Sequence, residues 1–423
     1  MAMTSKRVIL SSLAMVAALA AAAFVQTGHV VAGEAGRSSA FARANGTRFT
    51  LAGRPFYSNG FNAYWLMYMA SDPAADRSKA TAELEEAARL GATLVRTWAF
   101  ADGGYRALQV SPGVYNEDVF RGLDYVTAEA KKRGVHLILS LVNNWDAYGG
   151  KKQYVQWARD EGHYLNSDDD FFTSSVTKGF YKNHVKAVLT RVNKLTGVAY
   201  RDEPTIFAWE LMNEPRCQSD LSGKTLQAWI TEMAGYVKSL DPNHMVEIGL
   251  EGFYGESTPD RTQQFNPGSY TVGTDFISNN LVPDIDFATI HSYPDQWVPG
   301  ASSDEQVAFM RRWMASHAGD AAAALRKPLL VAEFGWSARS AGDGDVDASA
   351  REHRDAYFRM VYDTIYTSAR AGGPLVGGLF WQVMEAGMES WTDGYDIVLE
   401  RSSSTAAVVG RECARITSLN QVS

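Results

Sequence analysis

The sequence predicts an α/β fold, a single (β/α)8 barrel, from three observations. Short apolar runs alternate with stretches of helical spacing from Phe56 to Leu419, and the runs number eight. Strands alternating with helices make a parallel sheet, and that number suggests closure into a barrel. The longest connections all follow strands, which puts them on the C-terminal rim where barrels build their clefts. No Gly-x-Gly-x-x-Gly follows the first run, so a doubly wound open sheet, the alternative, lacks its nucleotide signature.

The elements follow in order. Phe41–Phe56 alternates apolar and polar residues around Asn45-Gly46-Thr47 and again around Ala52-Gly53-Arg54. That pattern reads as an N-terminal β-hairpin capping the bottom of the barrel. The strands are expected at Phe56–Asn62, Leu94–Phe100, His136–Val142, Ile206–Met212, Met245–Gly249, Phe287–Tyr293, Leu329–Glu333 and Gly377–Gln382. Helical spacing marks Lys79–Leu90, Glu117–Arg133, Phe171–Leu195, Leu226–Leu240, Glu305–Ala318, Ser349–Ala371 and Thr405–Leu419. The long rim connections are Trp145–Asp170, Leu250–Asp286 and Trp336–Asp347, rich in Trp, Tyr, Gly and Asp. Such loops suit a wall around an extended polar ligand.

The 423 residues are 46% hydrophobic and 21% charged, which suits a large core, and barrels reach this length as one domain. A net charge of −8 argues against nucleic acid, whose phosphates need clustered Lys and Arg. Lys6-Arg7, the apolar run Val8–Val25 and the small residues at Ala32-Gly33 read as a secretory signal peptide over 1–33. The run is long enough that an uncleaved anchor is the alternative. The folded domain is then 34–423, the protein is expected to be secreted to the cell exterior or wall, and no stable membrane partner is expected. Asn45-Gly46-Thr47 is a glycosylation sequon that matters only on that route. Cys217, beyond the fourth strand, and Cys413, in the last helix, fall on opposite sides of a barrel. They are too far apart for the ~5.5 Å between Cα atoms that a disulfide needs.

Chemistry is concentrated at strand ends. Ile206-Phe-Ala-Trp-Glu-Leu-Met-Asn-Glu-Pro-Arg216 is a buried run that stops at Asn213-Glu214-Pro215, and Leu329-Leu-Val-Ala-Glu-Phe-Gly335 carries Glu333. Both carboxylates should project over the barrel mouth from opposing arcs. Facing carboxylates are what cleavage of a glycosidic bond requires, one to protonate the leaving oxygen and one to attack the anomeric carbon. Arg96 ends the second strand, and His291 and Tyr293 end the sixth. An Arg and a Tyr hydroxyl beside Glu333 would keep it ionised, and His291 could tune Glu214 or serve only as a structural hydrogen-bonder. Asn213 has groups suited to a sugar hydroxyl. Trp98, Trp145, Trp297, Trp336 and Trp381 fall at or past strand ends, and indoles pack on the apolar faces of sugar rings. Trp157, Trp209, Trp229 and Trp313 lie within elements and read as packing.

Other motifs fail. Asp343, Asp345 and Asp347 hint at a calcium loop, but Ala348 and Arg354 replace its glycine and closing carboxylate. Asp168-Asp169-Asp170 is expected to cap the helix that follows. No His-Glu-x-x-His, Walker loop or Gly-x-Ser-x-Gly is present. No metal or cofactor is expected.

The sequence resembles glycoside hydrolase family 5, and within it the plant-type mannan endo-1,4-β-mannosidases. The resemblance is carried by Asn59-Gly-Phe-Asn-Ala-Tyr-Trp65, Arg96-Thr-Trp-Ala-Phe100, Tyr181-Lys-Asn-His-Val-Lys186, Phe207-Ala-Trp-Glu-Leu-Met-Asn-Glu-Pro-Arg-Cys217, Asp286-Phe-Ala-Thr-Ile-His-Ser-Tyr-Pro-Asp-Gln-Trp297 and Ala332-Glu-Phe-Gly335. It implies a TIM barrel with Glu214 as acid/base and Glu333 as nucleophile of a retaining reaction on mannan, galactomannan and glucomannan. It also implies a catalytic shell of Arg96, Asn213, His291, Tyr293 and Trp381, with Trp98, Asn213, Tyr293 and Trp381 binding substrate. Mannan is preferred over glucan or xylan by the resemblance alone, and transfer to a sugar acceptor stays open. A retaining pair should stand about 5–5.5 Å apart, with the pKa of Glu214 raised so that it stays protonated. A saccharide-binding barrel that does not cut is the competing class, and it would typically lack one carboxylate.

Overall fold

The structure, a computed structural model, describes residues 40–71, 77–338 and 348–421. The expected leader and the acidic run Asp343, Asp345 and Asp347 lie outside the described residues. Eight strands form one sheet: β1 Ser58–Asn62, β2 Leu94–Trp98, β3 His136–Ser140, β4 Ile206–Glu210, β5 Met245–Glu247, β6 Ala288–Ser292, β7 Leu329–Phe334 and β8 Leu375–Phe380. Hydrogen-bonded neighbours run β5-β4-β3-β2-β1-β8-β7-β6, all parallel. Closure between β5 and β6 uses a side chain. Asp286 N–H donates to the Val246 carbonyl at 2.8 Å, and the Asp286 carboxylate accepts from Val246 N–H at 2.7 Å. A second tie, His291 N–H to the Glu251 carbonyl at 2.9 Å, holds the upper edge. The expected (β/α)8 TIM barrel is the observed fold.

Most strand residues are buried on both faces, as expected of a parallel sheet covered by helices. Helices Arg77–Leu90, Glu117–Arg133, Ser175–Thr190, Lys224–Leu240, Ser303–Asp320, Ala348–Arg370 and Ser403–Ser418 form the outer layer. Their local signals are legible. Asn116 caps Glu117–Arg133 by accepting from Asp118 N–H, and Gly134 ends it at φ 68°, a left-handed conformation that glycine adopts without strain. Ser302 and Glu305 make a reciprocal capping box on Ser303–Asp320.

The expected N-terminal hairpin is a three-stranded antiparallel ribbon, Arg43–Asn45, Arg48–Leu51 and Arg54–Phe56, because each of its two Gly-containing turns reverses the chain. It plugs the bottom of the barrel. Phe49 is fully buried and meets Phe207 and Phe287 edge-on, both at 5.0 Å.

The acidic triplet also differs from expectation. Asp168–Phe171 forms its own short 3-10 turn capped by Ser167, while Ser174 caps the following helix. Asp169 instead binds Lys151 at 2.6 Å and Ser219 N–H at 2.8 Å, tying two rim loops together. The rim loops carry short helices, including Gly150–Asp160, Pro259–Phe265 and Phe276–Asn280, that periodicity alone had not separated from loop.

Both cysteines are buried and unpaired. Thiol titration of the denatured, unreduced chain should therefore find two free thiols; finding none would contradict the strand placement.

Candidate active site

Continuing hydrogen bonds carry the end of β4 up to the barrel mouth. Met212 N–H donates to the Ile248 carbonyl at 3.1 Å, Asn213 N–H to Val142 at 2.9 Å and Glu214 N–H to Gly249 at 2.9 Å. Glu214 then turns at φ 49°, a left-handed conformation uncommon for a residue with a Cβ and typical of functional positions. The surrounding bonds over-determine it. Across the mouth, the β6–β7 register skips one residue between Ile290 and His291, so His291 pairs with Glu333. A bulge of this kind re-aims a side chain. As a result, one carboxylate oxygen of Glu214, one of Glu333 and a ring nitrogen of His291 all lie within 4.8 Å of one another.

Every carboxylate oxygen of the pair has a donor. Glu333 Oε1 accepts from Arg96 Nη1 at 2.6 Å and Oε2 from the Tyr293 hydroxyl at 2.5 Å. Glu214 Oε1 meets His291 Nδ1 at 2.6 Å, and Oε2 accepts from Trp145 Nε1 at 2.6 Å. Such a cluster could ligate a cation by composition, but these oxygens face N–H and O–H protons, which suits anions rather than a metal.

Arg96 is fully buried and spends all five of its protons. Its Nε and Nη2 grip Glu210 at 2.5 and 2.7 Å, Nη1 reaches Asn62 at 2.9 Å and Glu333, and Nη2 reaches Asn213 at 2.7 Å. Burial disfavours its charge, but Glu210 and then Glu333 outweigh that and hold it ionised. Asn213 in turn donates to Asn143 at 2.9 Å. The Asn213 side chain is thus partly committed to protein partners, although it still lines the cleft.

The cleft above the pair has a volume of about 650 Å3. Trp98, Trp145, Trp297 and Trp381 line it, with Tyr64, Tyr148 and Tyr293. Trp381 stacks on Tyr64 at 5.6 Å with planes 13° apart, and its Nε1 donates to Asp393 at 2.7 Å. Trp336 is a correction. It is buried away from the cleft against Tyr357 and His353, because the chain turns outward after β7. Trp157, Trp209, Trp229 and Trp313 are buried, as expected.

The second correction concerns Glu214. Burial pushes its pKa up, but the hydrogen bond and charge of His291, with Trp145 and Arg216, outweigh burial and hold it at about 2. His291 is raised instead: burial lowers it, and Glu333 and Glu214 more than compensate. Glu333 is raised chiefly by burial. A proton for Glu214 can therefore be held on the imidazole, at the other end of a 2.6 Å hydrogen bond.

Sequence reading did not single out Glu210, Asn62, Asn143, Glu251, Tyr64 or Asp393. Glu210 stands four residues before Glu214 inside the same run, where a mid-strand position gives no sign of which way it faces. Arg216 grips Glu251 at 2.7 and 2.6 Å and lies 5.0 Å from the Trp145 ring centroid, steadying the Trp that holds Glu214.

The arrangement can deliver a proton to one side of a bond while a carboxylate attacks the other. Comparison with known proteins agrees with that chemistry. The pattern of a family described as GH family 5 beta-mannosidase-like matches residues 39–395. A protein of Oryza sativa subsp. japonica assigned as putative mannan endo-1,4-beta-mannosidase 9 is 73% identical over 419 residues, 99% of each chain. Mannan endo-1,4-beta-mannosidase 1 of the same organism is 58% identical over 91% of this chain and 88% of its own. Among solved structures, the endo-1,4-beta-mannanase of Rhizomucor miehei superposes with a TM-score of 0.73 at 31% identity, over 89% of this chain and 99% of that one.

NMR of the imidazole nitrogens should show His291 losing its proton above the ordinary 6.5, the direction its neighbours impose. Glu333→Gln should lower that transition. An unmoved transition would mean that the two groups are not coupled.

Proposed function

The chain belongs to glycoside hydrolase family 5, in its β-mannosidase-like group, and on that premise we propose how its site works. The protein is an endo-acting glycosidase that hydrolyses internal β-1,4-mannosidic bonds. The observation that carries this reading is the Glu214–Glu333 pair, one oxygen of each within 4.8 Å of the other, under a Trp-lined cleft. That closeness suits direct attack by a carboxylate, since inverting enzymes need roughly 6.5–9.5 Å to admit a water between the groups. Mannan is the substrate in the relatives' names, and galactomannan and glucomannan, which contain the same bond, are proposed beside it.

In the first step Glu333 Oε attacks the anomeric carbon, the glycosidic bond breaks, and its electron pair leaves on the departing oxygen. Glu214 gives that oxygen a proton drawn from His291 Nδ1 along their hydrogen bond, which leaves Glu214 ionised. In the second step Glu214 takes a proton from water, whose oxygen displaces Glu333 and leaves the anomeric configuration retained. Arg96 and Tyr293 hold Glu333 in line for attack, and Trp98 and Trp381 offer ring faces to the sugar. Asn213 keeps an amide proton for a sugar hydroxyl beside the reacting carbon. A saccharide acceptor in place of water would give transglycosylation.

Secretion is part of this reading, supported by the charged and apolar leader over 1–33. Among the described residues no helix is long and apolar enough to cross a membrane. N-terminal sequencing of protein collected from the medium of expressing cells should begin near Gly33; retention of Met1 on membranes would support an anchor.

The reading is tested first by products. Linear mannan and galactomannan should yield short manno-oligosaccharides, while carboxymethylcellulose and xylan stay intact; cleavage of the latter two instead would discard mannan as the substrate. Glu333→Ala should remove at least about 10³-fold of kcat while leaving the fold intact. Glu214→Ala should fail on mannan but keep most of its kcat/KM toward an aryl mannoside whose leaving group needs no proton, while kcat falls because the second step still lacks its base.

The pH profile follows from the shifts. Attack needs ionised Glu333, so kcat/KM falls as pH drops through its pKa, which burial places above the ordinary 4.5. Proton delivery needs the proton of the Glu214–His291 pair, which is lost as pH rises through the raised His291 pKa, above 6.5. His291→Asn should move the alkaline limb and, because His291 also holds Glu333 down, shift the acid limb upward; an unmoved alkaline limb would remove His291 from proton delivery.

A further inference from the structure

Beneath the cleft floor, three neighbouring strands present polar side chains at one level of the barrel. Ser140 on β3 is in register with Glu210 on β4, and Glu210 with Glu247 on β5. All three residues are fully buried. Parallel strands lie roughly 4.8 Å apart, and residues in register point to the same face. Two carboxyl groups therefore stand side by side inside the barrel, where two adjacent anions would repel without water to screen them.

The hydrogen bonds divide the roles. Glu210 accepts two bonds from Arg96, at 2.5 and 2.7 Å, and a further one from the Ser140 hydroxyl. Those are the partners of an anion. Glu247 accepts from Gly249 N–H at 2.6 Å and from the Thr289 hydroxyl at 3.3 Å, both on Oε2. Its Oε1 is buried with no partner, and the Glu210 carboxylate stands in register on the adjoining strand. Two carboxyl groups so placed can bond to each other only if one of them carries a proton.

We propose that Glu247 is a neutral carboxylic acid whose Oε1–H donates to Glu210, a positioning residue that fixes the charge of the Glu210–Arg96 pair beneath Glu333. The proton accounts for the orphaned Oε1. It also leaves Arg96 facing two anions, Glu210 and Glu333, rather than three. Burial, and then the Glu210 charge, drive the pKa of Glu247 well above the carboxylate range, in the direction this assignment needs. The consequence for turnover rests on Glu333 being the attacking group, whereas the protonation state of Glu247 does not.

The test uses the full chain and two variants. Glu247→Gln keeps a donor toward Glu210 and an acceptor for Gly249 N–H without a titratable group. At neutral pH, the infrared difference between parent and Glu247→Gln should show the loss of one carboxylic-acid C=O absorption. The buried carboxyls Glu83 and Asp102, present in both proteins, cancel in that difference. The Gln variant should keep kcat/KM on mannan within about threefold of the parent, since both hydrogen bonds survive. Glu247→Leu, which removes both, should lose about 10- to 100-fold in kcat with little change in KM. A difference spectrum showing a lost carboxylate band instead, or a Gln variant as impaired as the Leu variant, would overturn the proposal. If the Leu variant does not fold, the spectrum and the Gln variant still decide it. If mannan proves not to be cleaved at all, the spectrum still reads Glu247 by itself.

Discussion

A single buried guanidinium organises this site. Arg96 enters the barrel interior from β2 and places its five protons on Glu210, Asn62, Glu333 and Asn213. A buried cation is tolerable only when each proton is satisfied and its charge is matched. Those demands link four strands or strand ends, β1, β2, β4 and β7, to one planar group. The fork geometry of Arg is what allows a bidentate grip below and a single directed bond above. Lysine in that place could not make the same set of contacts.

Around this centre the two carboxylates proposed to carry the reaction occupy different electrostatic positions. Glu333 sits over the Arg and a Tyr hydroxyl, in a place built to receive an anion that must be consumed and regenerated. Glu214 sits over a His and a Trp, where the proton can shift along a short hydrogen bond. With the proton on His291 the two groups form an ion pair, and with it on Glu214 they form a neutral pair. Both arrangements contain the same protons, so a low carboxylate pKa in the free protein is compatible with an acid at the moment of bond cleavage. The controlling quantity is the proton count of the pair. Glu333 adds to it, because its charge is the leading influence that raises His291. In the proposed reaction, neutralising Glu333 by glycosylation weakens the hold on that proton, in the sense that favours its transfer.

The rim is built to a different rule. Ion pairs such as Lys151–Asp169 and Arg216–Glu251 tie loops to one another, and half of the residues lining the cleft are aromatic. Tyr64, Trp98 and Trp381 contact one another at 5.6 to 6.3 Å. A wall of mutually packed rings loses little freedom when a sugar lies against it. The bottom of the barrel, plugged by Phe49, takes no part in chemistry and serves stability.

Much of this was legible in the residue order. Alternating apolar runs and helical spacing determined the barrel, since a parallel sheet buried on both faces leaves continuous hydrophobic strands that periodicity detects. Abrupt stops at Glu214 and Glu333 marked carboxylates at strand ends, and strand ends share one rim by topology alone. What the linear pattern could not decide was direction and distance. Trp336 follows a strand end just as Trp381 does, yet it turns into the protein. Glu210 was hidden because a carboxylate within an apolar run declares neither which face it occupies nor who neutralises it. The acid role alone points to a raised pKa for Glu214; the structure holds it low because its controlling partner lies 77 residues away and reaches it through a bulge in the β6–β7 pairing. Composition and local periodicity determine which elements form and in what order; only the closed barrel decides which charges meet, because electrostatic balance depends on through-space distances that no local spacing encodes.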